Sequence, residues 1–162
     1  MSELHVAAYN ANIDEVRRLL ANGAQPDSRD ESGYTPLLWA SLRAAVADQV
    51  PVIEALTAAG ADPNAITRAG DSSCLIWAVQ TGSESAVVAL VTAGARVDAP
   101  ADGVTALMVA ARVGNLRMAR CLLELGADPA IKCGRFTAAD YARYGGHDEL
   151  AELIAAAQVG RQ

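Results

Sequence analysis

Gly60-Ala61-Asp62-Pro63 returns as Gly126-Ala127-Asp128-Pro129, and weaker copies stand at Gly23-Ala24-Gln25-Pro26 and Gly94-Ala95-Arg96-Val97-Asp98. The leading glycines, at 23, 60, 94 and 126, lie 37, 34 and 32 residues apart. A period of about 33 residues suits one helix-turn-helix unit plus a hairpin-like turn. An apolar run precedes each glycine: Val16, Leu19 and Leu20; Ile53 and Leu56; Val87, Leu90 and Val91; Met118, Leu122 and Leu123. Spacings of three and four residues put these side chains on one helical face. The glycine then falls where a helix end needs positive φ, and a following proline prevents the helix from continuing.

A second helix signal lies upstream in each unit. Its clearest form is Gly33-Tyr34-Thr35-Pro36-Leu37-Leu38-Trp39-Ala40. Thr35 caps a helix, and Pro36 takes the first helical position, where a missing N–H costs nothing. Related segments are Ser73-Cys74-Leu75-Ile76-Trp77-Ala78, Gly103-Val104-Thr105-Ala106-Leu107-Met108-Val109-Ala110 and Thr137-Ala138-Ala139-Asp140-Tyr141-Ala142. Ser2-Glu3-Leu4-His5-Val6-Ala7-Ala8 repeats the pattern without its turn.

These segments resemble ankyrin repeats, whose pattern is roughly D-x-x-G-x-T-P-L-H-x-A-A-x-x-G, then an apolar helix and L-L-x-x-G-A-D. The resemblance covers about residues 2 to 157. It divides a single domain, 1–162, into five units: 2–29, 30–66, 67–98, 99–130 and 131–162. The expected fold is an all-α solenoid of about five helix-turn-helix repeats joined by short β-hairpin-like turns. The family's histidine survives only as His5; Leu38, Ile76, Met108 and Asp140 replace it, so the usual histidine-centred turn network should be largely missing. The third and fifth units carry one more residue in the turn, between Gly70 and Ser73 and between Gly134 and Thr137. The second has about four extra residues around Leu42–Asp48, which lengthen either its first helix or the loop that follows. A first unit without its turn and a last unit with a polar tail suit capping repeats.

The 162 residues amount to about one domain. Apolar residues make up 52% but aromatic ones only 4%, so the core is mostly Ala, Val and Leu, suited to closely stacked short helices. Net charge is −6, and the basic residues are scattered without any Lys/Arg block. That argues against nucleic-acid binding, which needs a basic face. It mildly favours a neutral or basic protein partner. The first 20 residues contain Glu3, Asp14, Glu15, Arg17 and Arg18 and have no signal-peptide pattern. No stretch is apolar for long enough to span a bilayer. Cys74, Cys121 and Cys133 are odd in number and lack C-x-x-C spacing, which reads as small packed residues in a reducing, cytoplasmic setting.

No catalytic constellation, cofactor loop or metal set is legible. His5 and His147 sit in the first and last units, and neither has a nucleophile or ligand at chemical spacing. His5 matches the family's turn-stabilising histidine. Gly146-His147-Asp148-Glu149-Leu150 matches the family's inter-helix turn. No glycine cluster follows a strand, so no phosphate loop is suggested. The expectation is a non-catalytic, monomeric module that binds another protein; an inhibitor or immunity-type protein neutralising an enzyme or toxin, and a passive scaffold, stay open.

The resemblance places ligand contacts on a concave surface made of the turn tips and the exposed positions of the first helices. On this chain these include Tyr34, Arg68, Asp71, Arg135 and Phe136 in the turns, with Tyr9, Arg43, Arg112 and Tyr144 on the helices. Trp39 and Trp77 occupy one repeat position, in the ladder Val6, Trp39, Trp77, Val109, Tyr141. They form either a rigid apolar binding platform or gap-fillers packed on the neighbouring helix. Tyr34 and Phe136, being in turns, are the stronger surface candidates. Charges at Arg43, Arg68, Arg112, Arg135, Arg143, Asp71, Asp102 and Asp140 read as a solvated surface or as specificity contacts.

Overall fold

Thr35 shows how the repeats begin: its hydroxyl accepts the Leu38 amide at 3.2 Å, directly ahead of Pro36. In the computed structural model, which describes residues 1–45 and 48–159, the same cap recurs. Ser73 caps Ile76 at 3.2 Å, Thr105 caps Met108 and Thr137 caps Asp140, both at 3.4 Å. The second helices use Asn12, Ser83 and Asn115 in the same way. Each cap satisfies an amide that would otherwise be orphaned at a helix start.

The described residues hold ten helices in consecutive pairs: α1 Glu3–Tyr9 with α2 Ile13–Ala21, α3 Pro36–Leu42 with α4 Val50–Ala58, and α5 Cys74–Thr81 with α6 Glu84–Thr92. The pairs continue with α7 Ala106–Arg112 and α8 Leu116–Glu124, then α9 Ala138–Tyr144 and α10 Asp148–Val159. The turn before α9 forms a two-stranded antiparallel ribbon, β1 Lys132–Cys133 and β2 Phe136–Thr137, with Lys132 opposite Thr137. Single bridges join Ile66 to Ser73 and Ala101 to Val104. This is an all-α repeat solenoid with hairpin-like turns.

The chain forms two compact units, Met1–Arg96 and Val97–Gln162. In the first, α1, α3 and α5 pack in sequence, as do α2, α4 and α6. In the second, α7 packs on α9 and α8 on α10. The apolar stripe read from the sequence is the core of each unit. Val16, Ile53, Leu56 and Leu90 are fully buried in the first; Met118, Leu122 and Ile154 in the second. Each such side chain contributes about 1.5–3 kcal/mol by leaving water.

Gly60 and Gly126 close their helices with φ of 96° and 100°. The next amide then reaches back five residues, Ala61 to the Leu56 carbonyl at 3.0 Å and Ala127 to Leu122 at 2.9 Å. That is the Schellman arrangement, which a side chain at the glycine would strain.

Successive repeats are also joined through Asx side chains four residues after Gly23, Gly60 and Gly94. Asp27 accepts the Asp62 amide at 3.0 Å, Asn64 accepts the Arg96 amide at 2.8 Å, and Asp98 accepts the Asp128 amide at 3.0 Å. Their equal offset in the sequence was a legible signal that pattern reading passed over.

The extra residues of the second repeat do not lengthen its first helix. α3 ends at Leu42 and has seven residues, like α1, α7 and α9. The insertion belongs to the connection to α4, within which Val46 and Ala47 lie outside the described residues, as Arg161 of the tail does. Gln49 anchors the end of that connection: it is 1% exposed, and its amide donates to the Tyr9 carbonyl at 3.3 Å.

Candidate partner-binding surface

His5 sets the geometry of the first turn. Its Nδ1 accepts from the Ser2 amide at 3.3 Å and the Ser2 hydroxyl at 2.7 Å. That leaves Nε2 to donate to the carbonyls of Ser28 at 2.9 Å and Tyr34 at 3.0 Å. The ring is 1% exposed, so its role is structural. Where the histidine is replaced, Leu38, Ile76 and Met108 are core residues, and Asp140 instead closes a capping box with Thr137. His147 lies just before α10, its ring against Gly114, and its amide donates to the Ala142 carbonyl at 2.9 Å.

Asp30, 8% exposed, organises the turn that His5 holds. Its Oδ1 accepts the amides of Ser32 at 2.9 Å and Tyr34 at 3.1 Å. Its Oδ2 accepts the Trp39 indole N–H at 2.8 Å. Burial pushes the carboxyl pKa up, but the N–H donors of Trp39, Tyr34 and Ser32 outweigh it and hold the group below its usual range. Asp30 was not among the residues the sequence singled out for the site; its signal was the family's turn aspartate.

Four expected site residues converge here. The Trp39 ring lies 5.0 Å from Tyr34, tilted by 30°, and 5.5 Å from Tyr9, edge to face. The Arg43 guanidinium sits 4.6 Å from the Tyr9 ring centroid, its Nε buried without an acceptor among the described residues. Tyr34, expected to be an open surface ring, is half-buried against Trp39, because the Asp30 bonds pull turn and helix together.

Trp77 is also half-buried, and its indole N–H has no acceptor among the described residues. The ladder containing both tryptophans is uneven: Val6 is 46% exposed, whereas Val109 is 3% exposed and belongs to the core. Arg68 is exposed and lays its stem beside Gly33, so that a side chain there would clash at 2.8 Å. Asp71 is taken up by a hydrogen bond from the Thr67 hydroxyl within its own turn.

In the second unit, Phe136 and Tyr141 meet edge to face at 6.2 Å, and Arg135 covers Phe136 at 5.1 Å. Tyr144 is 92% exposed and Phe136 40% exposed. Phe136, Asp140, Tyr141 and Tyr144 line a cleft of about 220 Å³. A hydrogen bond shared with the Cys133 thiol, then burial, holds the Tyr141 phenol pKa above its usual value. Arg112, at the end of α7, is exposed. Of the cysteines, Cys74 is buried in the core, while Cys121 and Cys133 are half-buried.

The distribution is one-sided along the repeat. All seven aromatic residues lie on first helices (Tyr9, Trp39, Trp77, Tyr141, Tyr144) or in the turns ahead of them (Tyr34, Phe136), and none on a second helix. Among the described residues, no helix is long and apolar enough to cross a membrane, and no cluster of three or more metal-ligating side chains forms.

Helix pairs of this length, joined by turns of this geometry, define the ankyrin class. Residues 4–44 match the family described as ankyrin repeats (many copies), and residues 42–133 and 75–162 match ankyrin repeats (3 copies). The chain belongs to the ankyrin-repeat family. It is 37% identical over 129 residues to the ankyrin repeat and KH domain-containing protein mask-1 of Caenorhabditis elegans, a match covering 78% of this chain and 5% of that protein. It is 31% identical over 166 residues to the mitochondrial disaggregase of Bos taurus, covering 96% and 23% respectively. With the ARF GTPase-activating protein GIT2 of Homo sapiens it shares 37% identity over 97 residues, covering 57% and 13%. The chain thus spans less than a quarter of the length of each. Ankyrin repeats are generally protein-interaction modules, and the family points to a non-catalytic role.

Proposed function

We propose that this chain binds a partner protein through its turn tips and first helices, without catalysing a reaction of its own. The observation that carries the reading is the confinement of every aromatic ring to those segments. Rings are the side chains most concentrated in binding hot spots, and a core built on Ala, Val and Leu does not need them on one helix of each pair only. Tyr144 and Phe136 leave apolar ring surface in water, a cost that a partner would remove. In the first unit Tyr9, Trp39 and Arg43 form the corresponding patch, where Arg68 and Asp71 would tune specificity, as Arg112 would in the second unit. The odd cysteine count fits a cytoplasmic setting, and the charged residues Asp14, Glu15, Arg17 and Arg18 on α2 and Asp148, Glu149 and Glu152 on α10 fit a monomer.

Site-specific photocrosslinking tests this. A crosslinker is placed singly at exposed turn or first-helix positions Ser32, Gln80, Asp102 and Arg135, and at exposed second-helix positions Arg17, Glu54, Arg120 and Glu152. Adducts to one protein from the first set, and not the second, are the expected result. Adducts confined to the second set, or none from either, would overturn the reading.

A further inference from the structure

The two units treat the same repeat positions differently. Tyr34 and Trp39 in the first unit correspond, by distance from the capping threonine, to Phe136 and Tyr141 in the second. In the first unit the rings close on one another, and a resident cation, Arg43, caps the ring of Tyr9 at 4.6 Å. The residue corresponding to Arg43 in the second unit is Gly145, which has no side chain. Phe136 and Tyr141 meet edge to face there, with Arg135 over the Phe136 ring, and together with Tyr144 they border a cleft of about 220 Å³ that has Asp140 on its lining.

We infer that this cleft receives the alkylammonium head of a lysine-type side chain, plain or methylated, presented by the partner protein; the inference rests on the binding role proposed above. Aromatic faces carry negative charge density and attract cations. Phe136 already does so, with Arg135 at 5.1 Å. Asp140 supplies a fixed negative charge: its Oδ2 accepts the Thr137 amide and hydroxyl, both at 2.8 Å. Those donors, first the Thr137 amide and then its hydroxyl, keep the carboxyl below its ordinary range. Arg143 touches Oδ1 at 3.2 Å, but the two side chains are 55% and 38% exposed, so that pair is weak and readily exchanged. The net charge of −6 favours the approach of a basic segment.

Phe136 is the single phenylalanine, so its ring labelled with carbon-13 reports on the cleft alone. The full chain is titrated with capped lysine, capped trimethyl-lysine, the uncharged tert-butyl analogue of the latter, and choline. Saturable shifts of the Phe136 ring with a capped lysine form, and much smaller ones with the neutral analogue, are the expected result. Tyr144→Ala, at a position 92% exposed, should leave the amide spectrum otherwise intact and weaken binding by about threefold or more. Equal shifts with the neutral analogue would reduce the cleft to an apolar patch. Choline binding as well as the capped amino acids would make its occupant a small quaternary amine, not a partner's side chain. No shift with any probe would overturn the inference while leaving the crosslinking test of partner binding unaffected.

Discussion

The Trp39 indole N–H donates to Asp30 Oδ2 at 2.8 Å, tying the first helix of the second repeat to the turn that precedes it. Turn residues with two amide bonds to one carboxylate oxygen thereby become the frame for an aromatic cluster. Replacing Asp30 by Ala leaves three N–H donors without their acceptor in a buried site. Urea unfolding should show a loss of about 3 kcal/mol, with Asp30→Asn losing less because an amide oxygen still accepts.

The same carboxylate makes stability depend on pH. Its pKa in the folded chain is depressed below the unfolded value, so the unfolded chain binds more protons. Its contribution is complete above about pH 4 and falls away as the pH drops through the folded value. Asp30→Asn should flatten the acid limb of a stability–pH curve. An acid limb identical in slope would count against the assignment.

His5 should be irreplaceable by the apolar residues found at its counterparts. His5→Leu leaves the Ser28 carbonyl without its donor and the Tyr34 carbonyl with the Asp30 amide alone, and should cost about 2 kcal/mol. Hydrogen exchange at the Gly33 and Tyr34 amides should accelerate more than exchange within α2.

Gly114 and Gly23 both hold positive φ, 72° and 87°, but only Gly114 faces a neighbour. A Cβ there would lie 2.5 Å from the His147 ring, whereas Gly23 has nothing within 4 Å. Gly23→Ala should cost about 1–2 kcal/mol from backbone strain alone. Gly114→Ala should cost distinctly more, and the excess should shrink when His147→Ala is added. Thermal melts of Gly23→Ala, Gly114→Ala, His147→Ala and the Gly114→Ala/His147→Ala double variant would check this.

Cys74 is fully buried, and burial pushes its thiol up to about 12. In a thiol titration with an aromatic disulfide reagent at neutral pH, Cys74 should react only on unfolding. A Cys74→Ala variant should therefore leave the native-state titre unchanged and lower the denatured titre by one thiol.

Much of the fold was legible because its determinants are local. Threonine or serine at the helix starts, proline in the first turn and glycine at the helix ends act within a few residues of themselves, so a linear pattern encodes them directly. The Asx links between repeats were also encoded, by their constant offset from those glycines. The connection after Leu42 was ambiguous because an insertion of small residues suits a longer helix as well as a loop.

The candidate site divides along the same line. The sequence by itself determined the repeat period, the capped helix pairs and the confinement of the rings to turns and first helices. It also marked His5 as a turn residue, since its role follows from its place in the motif. Only the tertiary structure decided which rings are spent on one another. Tyr34 and Phe136 occupy equivalent turn positions, yet Tyr34 lies against Trp39, which meets the Arg43-capped Tyr9 edge to face, while Phe136 borders a cleft. That difference depends on Asp30 reaching the Trp39 indole and on Gly145 standing where Arg43 stands. A ring's exposure is set by the neighbours that surround it in space, and periodicity along the chain does not specify them.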